Sequence, residues 1–122
     1  MLAKYGYQPI LLERGFDVDT RTKDVEAYWS GGSLNPDSNV QFGEGGAGTF
    51  SDGKLNTLVK DKHGRNKEVL RIFVQFGAPE HILYESKPHI GTDVLRQVVI
   101  NLRNAISPVL VCAVSLYGAA GS

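Results

Sequence analysis

A carboxylate follows an apolar run near the start of the chain. The run spans Pro9–Leu12 and leads into Glu13, Arg14 and Gly15, which predicts a strand that ends in an acidic residue. In a βαβ unit that binds a dinucleotide, an acidic residue at this position accepts hydrogen bonds from ribose hydroxyls. A glutamate favours the unphosphorylated ribose of FAD or NAD, because it would repel the 2′-phosphate of NADP. An ordinary solvated turn is the alternative interpretation.

A glycine-rich block, residues 43–48, is followed by the polar residues Thr49, Ser51, Asp52 and Lys54. Glycines let main-chain N–H groups approach an anion closely, as phosphate sites require. Residues 48–54 also match the G-x-x-x-x-G-K of a P-loop, but Leu55 stands where that motif needs Ser or Thr for Mg²⁺. A P-loop-like ATP or GTP site is therefore the less favoured alternative. A flexible surface loop would explain the glycines but not the clustered polar residues.

Four blocks of the sequence carry a resemblance to a known family. They are Glu13–Gly15, Arg21–Glu26, Ser38–Leu55 and Lys87–Asp93. These blocks resemble a bacterial family of uncharacterised FAD-dependent dehydrogenases, which is similar to the glutathione-reductase-like flavoproteins. The resemblance extends from Met1 to about Ile106.

The resemblance implies roles for individual residues. Glu13 would hold the adenosine ribose of FAD, and Arg14 would lie beside the adenine or the pyrophosphate. Five further residues would border the pyrophosphate and the isoalloxazine of FAD: Gly45, Gly46, Ala47, Gly48 and Thr49. Ser51 and Lys54 would lie next to this group. The C-x4-C pair of disulfide reductases is absent, so disulfide chemistry is not implied. The substrate and the catalytic residues are not indicated, and NAD(P)H is one candidate electron donor.

The predicted fold class is α/β, a partial Rossmann-like FAD-binding domain over residues 1–106 followed by an uncharged apolar tail over 107–122. The glycine fingerprint of such a fold lies about 20 residues before the acidic residue, and counting back from Glu13 passes Met1. We therefore expect the first strand and the glycine-rich turn to precede this chain. On that expectation the fragment alone is inactive and does not retain FAD. The competing hypothesis, from a different functional class, is that the chain is a non-catalytic remnant that binds no cofactor.

The sequence also predicts the elements that position these residues. A helix is expected to end at Gly6, and the residues from about Ser30 to Lys54 are expected to be mostly loop. Hydrophobic periodicity predicts three helices: Asp19–Trp29 with Val25, Tyr28 and Trp29 on one side, about Arg65–Phe76, and one capped by Thr92 and Asp93 that ends near Ser107 and Pro108. A buried strand is expected over Val109–Val114.

Sheet geometry adds a prediction about the site. Glu13 should lie at the carboxyl end of its strand, and the Gly45–Thr49 backbone should approach the same edge. The strand that holds Leu11 and Leu12 should leave apolar surface exposed or covered by the Val109–Val114 tail.

The charge balance and the single cysteine indicate which binding partners and which cellular compartment are favoured. Lys and Arg number 13 and Asp and Glu number 13, without a block of like charges, so neither nucleic acid nor anionic lipid is favoured as a partner. Pro108 and several glycines argue against a membrane span in the tail. Cys112 has no partner for an internal disulfide and is expected to be a small core residue, so a reducing cytoplasm is the default.

The three histidines and the remaining composition do not indicate a metal site. No His or Cys spacing resembles that of a metal site. His89 is interpreted as a structural histidine in a loop, and His63 and His81 as surface residues. The expected partners are FAD and a small-molecule substrate.

Overall fold

The computed structural model describes residues 1–51, 53–55, 60–109 and 112–115, which form two compact units. The first unit holds Met1–Ala47 and the described residues from Arg103 onward, and the second holds Gly48–Leu102. The helices and strands are β1 (Ile10–Glu13), α1 (Val18–Trp29), α2 (Arg65–Gln75), α3 (Thr92–Ile106) and β2 (Cys112–Ser115). Short 3-10 turns cover Ala3–Tyr5, Ala47–Phe50, Glu80–Leu83 and Ser107–Val109. The chain is thus a small, helix-rich mixture of helices and strands.

In the first unit, β1 and β2 pair in parallel. Ile10 lies opposite Cys112 and Glu13 opposite Ser115. One edge of β1 is therefore covered by the tail, as predicted, whereas Ile10, Leu11 and Leu12 remain 65%, 50% and 66% exposed. A single pair of strands is not a Rossmann-like sheet. The parallel sheet of that fold is covered on both faces, whereas β1 leaves its apolar side chains exposed.

The predicted tail strand begins later than expected. The 3-10 turn Ser107–Val109 continues the helical path beyond α3, and β2 starts only at Cys112. Positions 110–111 and 116–122 of the predicted tail lie outside the described residues, as do the side chains of β2, including the predicted core role of Cys112. Among the residues that the structure describes, no helix has both the length and the apolar character needed to span a membrane.

The predicted surface helix Asp19–Trp29 is present as α1 and buries a narrow face. Val18, Arg21 and Val25, spaced three and four residues apart, are each no more than 1% exposed. Of the three residues noted for their helical spacing, Val25 is buried, whereas Tyr28 and Trp29 are 43% and 62% exposed. A charged residue, Arg21, completes the buried stripe instead of an aromatic one.

The second unit packs α2, α3 and the 3-10 turn Glu80–Leu83 around one apolar cluster. Its buried members are Ala78, Ile82, Ile90, Leu95 and Val98. The predicted bounds of α2 hold to within one residue, since Phe76 is its C-cap. The predicted cap of α3 was wrong, because Thr92 and Asp93 are already its first two residues and the N–H of Leu95 donates to the Gly91 carbonyl.

Two blocks that carry the family resemblance meet in this unit. Lys54 and His89 form an antiparallel bridge, with the Ile90 N–H donating to the Gly53 carbonyl at 2.9 Å. Gly53 has φ +67°, and a Cβ added to it would stand 1.7 Å from the Ile90 carbonyl oxygen. Only glycine permits this approach. His89 itself is exposed in the bridge, in keeping with its interpretation as a loop residue.

We expect Gly53→Ala to destabilise the chain well beyond the cost of its backbone conformation. Gly64→Ala is the matched control, because Gly64 has φ +68° and a Cβ there would meet nothing within 4 Å. The control should lose about 1–2 kcal/mol of unfolding free energy from left-handed strain alone. Gly53→Ala should lose about 2 kcal/mol more, because the bridge with Ile90 must open. Urea denaturation measures both losses, and equal losses would contradict the close approach.

Candidate functional site

Glu13 is the last residue of β1 and lies at the carboxyl end of the strand pair. Its Oε1 accepts the Gly15 N–H at 2.9 Å, which closes a tight turn directly after the strand. Within the described ranges no hydrogen bond reaches the other oxygen, Oε2, and the residue is partly exposed. One carboxylate oxygen at this edge is thus able to accept a hydrogen bond from a ligand hydroxyl.

The glycine block begins at the same edge. A Cβ on Gly15 would lie 2.5 Å from the Cα of Gly43, so the two glycines pack backbone against backbone. Gly43 has φ +119°, and a Cβ on it would clash with the Arg21 side chain. The Glu44 N–H donates to the Phe16 carbonyl at 3.0 Å and fixes the following residue to the turn after β1.

The Arg21 side chain holds this loop in place. Its guanidinium donates to the carbonyls of Asn39 at 2.7 Å, Val40 at 2.9 Å, Gly43 at 3.3 Å and Glu44 at 2.7 Å. The residue is fully buried. Burial lowers the pKa of Arg21, an effect that the charge of Glu13 opposes, yet an arginine stays protonated at neutral pH. A single side chain thus supplies donors to carbonyls that have no strand or helix to satisfy them.

A second arginine, Arg103 of α3, ties Glu44 to the start of α1. Glu44 Oε2 accepts the Val18 N–H at 2.7 Å and Arg103 Nη1 at 2.9 Å. Arg103 also pairs with Asp19 at 3.3 Å and approaches Asp17 to 3.8 Å. The Asp17 carboxylate in turn accepts the N–H groups of Asp19 and Thr20, both at 3.1 Å. Protein carboxylates therefore occupy the N-terminus of α1, where a phosphate would otherwise be favoured.

Arg14 lies beside Glu13 but faces protein groups. Its Nε donates to Asp37 Oδ1 at 2.7 Å, and its guanidinium is 5.1 Å from the centre of the Phe42 ring. The Arg14 side chain is 53% exposed. The structure thus gives Arg14 two protein partners and leaves half of its surface open at this edge.

The remaining predicted residues of the block divide between the two units. Gly45 and Gly46 have φ +87° and +64°, and the Gly46 N–H donates to the Gly43 carbonyl at 3.1 Å. Ala47 and Gly48 open the 3-10 turn and are exposed, whereas Thr49 is fully buried. As it stands, Thr49 does not present a surface to a ligand. The approach of the Gly45–Thr49 backbone to the edge of β1 stays a prediction.

Ser51 and Lys54 are exposed members of the second unit. The Ser51 hydroxyl donates to the Gly48 carbonyl at 3.3 Å, and Lys54 lies in the extended bridge to His89. A P-loop lysine stands at the start of a helix, so this backbone argues against the P-loop alternative. Asp52 lies outside the described residues. Over the ranges that the structure describes, no three His, Cys, Asp or Glu residues are placed to hold a metal ion.

Sequence reasoning missed Arg21, Glu44 and Arg103, which organise the site. Arg21 carried a signal, because it lies three residues after Val18 and four before Val25 on the apolar face of α1. Glu44 and Arg103 gave no such signal, since they meet across 59 residues of chain.

The chain is similar in sequence to one segment of a longer protein. No family model matches it. It is 59% identical over 105 residues to an uncharacterized protein of Clostridium beijerinckii, and the match covers 86% of this chain. The matched segment is 19% of that protein, so the chain spans about a fifth of the length of its relative.

We expect Arg21→Met to lower the free energy of unfolding by about 3–5 kcal/mol, because it leaves four carbonyls without their donors. Arg21→Lys keeps the charge but not the planar arrangement of donors. Its loss of unfolding free energy should therefore lie between zero and that of Arg21→Met. The control is Arg71→Met, because Arg71 is exposed and its ion pair with Glu68 is long, at 3.5 Å. This variant should change the free energy of unfolding by about 0.5 kcal/mol or less. Denaturant titration measures all three, and equal losses for the two methionine variants would refute the role of Arg21.

The stability of the first unit should fall in acid through Asp17. Burial raises the pKa of this carboxyl, but hydrogen bonds from Thr20 and Asp19 and the charge of Arg103 lower it, with a net shift below its ordinary 3.8. A lowered pKa means that the stabilisation is present at neutral pH and is lost as the pH falls below about 4 toward the folded-state pKa.

The matched variant for this titration is Asp17→Asn. Asparagine remains a good N-cap but does not titrate, so the variant should lose less stability than the wild type between about pH 4 and pH 2. At pH 7 it should be less stable by about 0.3–1 kcal/mol, because the charge at the helix N-terminus is gone. Denaturant titrations across this pH range measure the difference, and parallel pH profiles would contradict the assignment.

Proposed function

We propose that this chain is the FAD-binding segment of a flavin-dependent oxidoreductase whose substrate is a small molecule. The observation that supports this most directly is the contact of Gly15 with Gly43. It brings the start of a glycine-rich block to the carboxyl end of β1, where Glu13 keeps a carboxylate oxygen available. In α/β folds, nucleotides bind at the carboxyl ends of parallel strands.

Each part of the proposed site has a stated task. Glu13 accepts hydrogen bonds from the ribose hydroxyls, and Arg14 lies beside the adenine or the pyrophosphate. Because Asp17 and Glu44 occupy the N-terminus of α1, that helix end is not where the phosphates bind. The proposal assigns them instead to the backbone of the glycine block from Gly45 onward, apart from the Gly46 N–H, which donates to the Gly43 carbonyl.

The finer fold assignment belongs to the same proposal. The parallel pairing of β1 with β2 and the exposure of Leu11 and its neighbours on β1 suit a strand of a larger Rossmann-like sheet. When bound, FAD supplies the hydride-transfer chemistry, and the residues of this chain hold and orient it. The single cysteine and the absence of a C-x4-C pair favour a cytoplasmic enzyme that does not use disulfide chemistry.

The proposal is tested in a longer protein that carries this segment. Glu13→Gln should weaken FAD binding by about 1–3 kcal/mol, because charge-assisted hydrogen bonds to ribose become neutral ones. Glu26→Gln removes the same charge from an exposed position of α1 and should leave FAD affinity unchanged. Quenching of flavin fluorescence measures both affinities.

Nucleotide choice separates the alternatives. Binding of ATP with Mg²⁺ in place of FAD would favour the P-loop alternative, and binding of neither would favour a remnant with no cofactor. Equal FAD affinity in the wild type and in Glu13→Gln would contradict the role of Glu13 in binding the ribose and would favour the alternative of an ordinary solvated turn.

A further inference from the structure

The second unit contains a cavity between α2 and the chain that follows it, with Leu55 also in its lining. Its volume is about 750 Å³, within the range of about 300–1,000 Å³ that is typical of sites for small organic ligands. Residues between Asn66 and Phe73 of α2 form one wall, and the chain from Ile82 to Pro88 forms the other.

The interior of the cavity is apolar. Leu70 and Phe73 contribute from α2, and Ile82 and Pro88 from the opposite wall. Ile82 is only 1% exposed and belongs to the core cluster, so this part of the cavity is backed by packed side chains. By contrast α2 has no buried residue, and its Val69 is 44% exposed on the cavity side. The residues that the structure describes therefore leave apolar surface uncovered inside the cavity.

Backbone hydrogen bonds fix the second wall. The N–H groups of Tyr84 and Glu85 donate to the His81 carbonyl at 3.2 and 3.1 Å. At the other end of the wall, the Pro88 carbonyl accepts the Leu55 N–H at 2.9 Å. Both ends of this wall are thus tied to the rest of the unit by main-chain hydrogen bonds, which lowers the cost of ordering it on binding.

Two lysines, Lys67 and Lys87, also line the cavity. In the described part of the chain, neither ammonium makes a hydrogen bond or lies within 4 Å of a carboxylate. Glu85, the carboxylate of the lining, lies 3.8 Å from the Nε2 of His81. Asp61 accepts the main-chain N–H of Lys67 and interacts with the Lys67 charge without forming an ion pair within 4 Å. The lining thus offers two cationic donors beside an apolar interior.

We propose that this cavity binds an amphipathic organic anion, with its hydrocarbon or aromatic part against Leu70 and Phe73 and its anionic group at Lys67 and Lys87. Apolar surface supplies the affinity for the body of such a ligand, and the ammonium groups select its charged end. The proposal concerns the second unit alone and does not depend on the binding of FAD.

The test compares two fluorescent probes on the full 122-residue chain. 8-Anilinonaphthalene-1-sulfonate has an aromatic body with a sulfonate, and N-phenyl-1-naphthylamine has the same body without the charge. The Lys67→Gln/Lys87→Gln double variant should bind the sulfonate about tenfold more weakly and the uncharged probe equally well. Lys60→Gln/Lys62→Gln is the matched control, because both of these lysines are exposed outside the cavity lining. It should leave both affinities unchanged.

The position of the probe is tested separately, because the exposed face of β1 is another apolar surface. Ser86→Trp places a large ring at the cavity and should abolish saturable binding of both probes while the circular dichroism spectrum is preserved. Amide chemical shifts measured with the wild-type chain should change at Leu70, Phe73 and Ser86 on addition of the sulfonate, independently of any variant. The proposal is overturned if the shifts fall on Ile10–Glu13 instead, or if the two lysine variants weaken the sulfonate equally.

Discussion

The buried guanidinium of Arg21 is the interaction on which the first unit depends. Residues 39–44 include neither helix nor strand, so their carbonyls need donors from elsewhere. Arg21 reaches four of them from one helical position, because a guanidinium carries five N–H donors in a rigid plane. The same contact sets the position of Gly43, and Gly43 then packs on Gly15 at the end of β1. A charged side chain thus acts as the core of a segment that has too few apolar residues to form one.

The carboxylates around this core have different tasks. Glu44 and Asp17 satisfy the first N–H groups of α1, and Arg103 balances their charge. Those groups are consequently saturated within the protein. Glu13 is different, since one of its oxygens closes the turn and the other is left at the edge of the strand pair. Among the described acidic residues at this edge, Asp17 and Glu44 are thus structural, whereas Glu13 keeps an oxygen available, and the proposed nucleotide site depends on that difference.

The second unit is organised by close backbone approach and an incomplete apolar surface. Gly53 allows the chain to meet Ile90 at a distance that a side chain would prevent, which joins two motif blocks that are distant in sequence in an extended bridge. The helix α2, in contrast, presents an apolar stripe that the described residues cover only in part. The bridge is completed by main-chain hydrogen bonds within the unit, whereas the stripe of α2 borders the cavity in which we propose that a ligand binds.

The sequence by itself determined the elements, because their signals are local. Helical periodicity gave α2 to within one residue, and an apolar run followed by an acidic residue gave β1 and the terminal position of Glu13. Tertiary structure alone decided which face of α1 is buried and that Arg21 serves a distant loop. It also decided that Glu44 meets Arg103 and that Thr49 is buried. These outcomes depend on contacts between residues far apart in the chain, and the spacing of residue types within one segment carries no record of its distant neighbours.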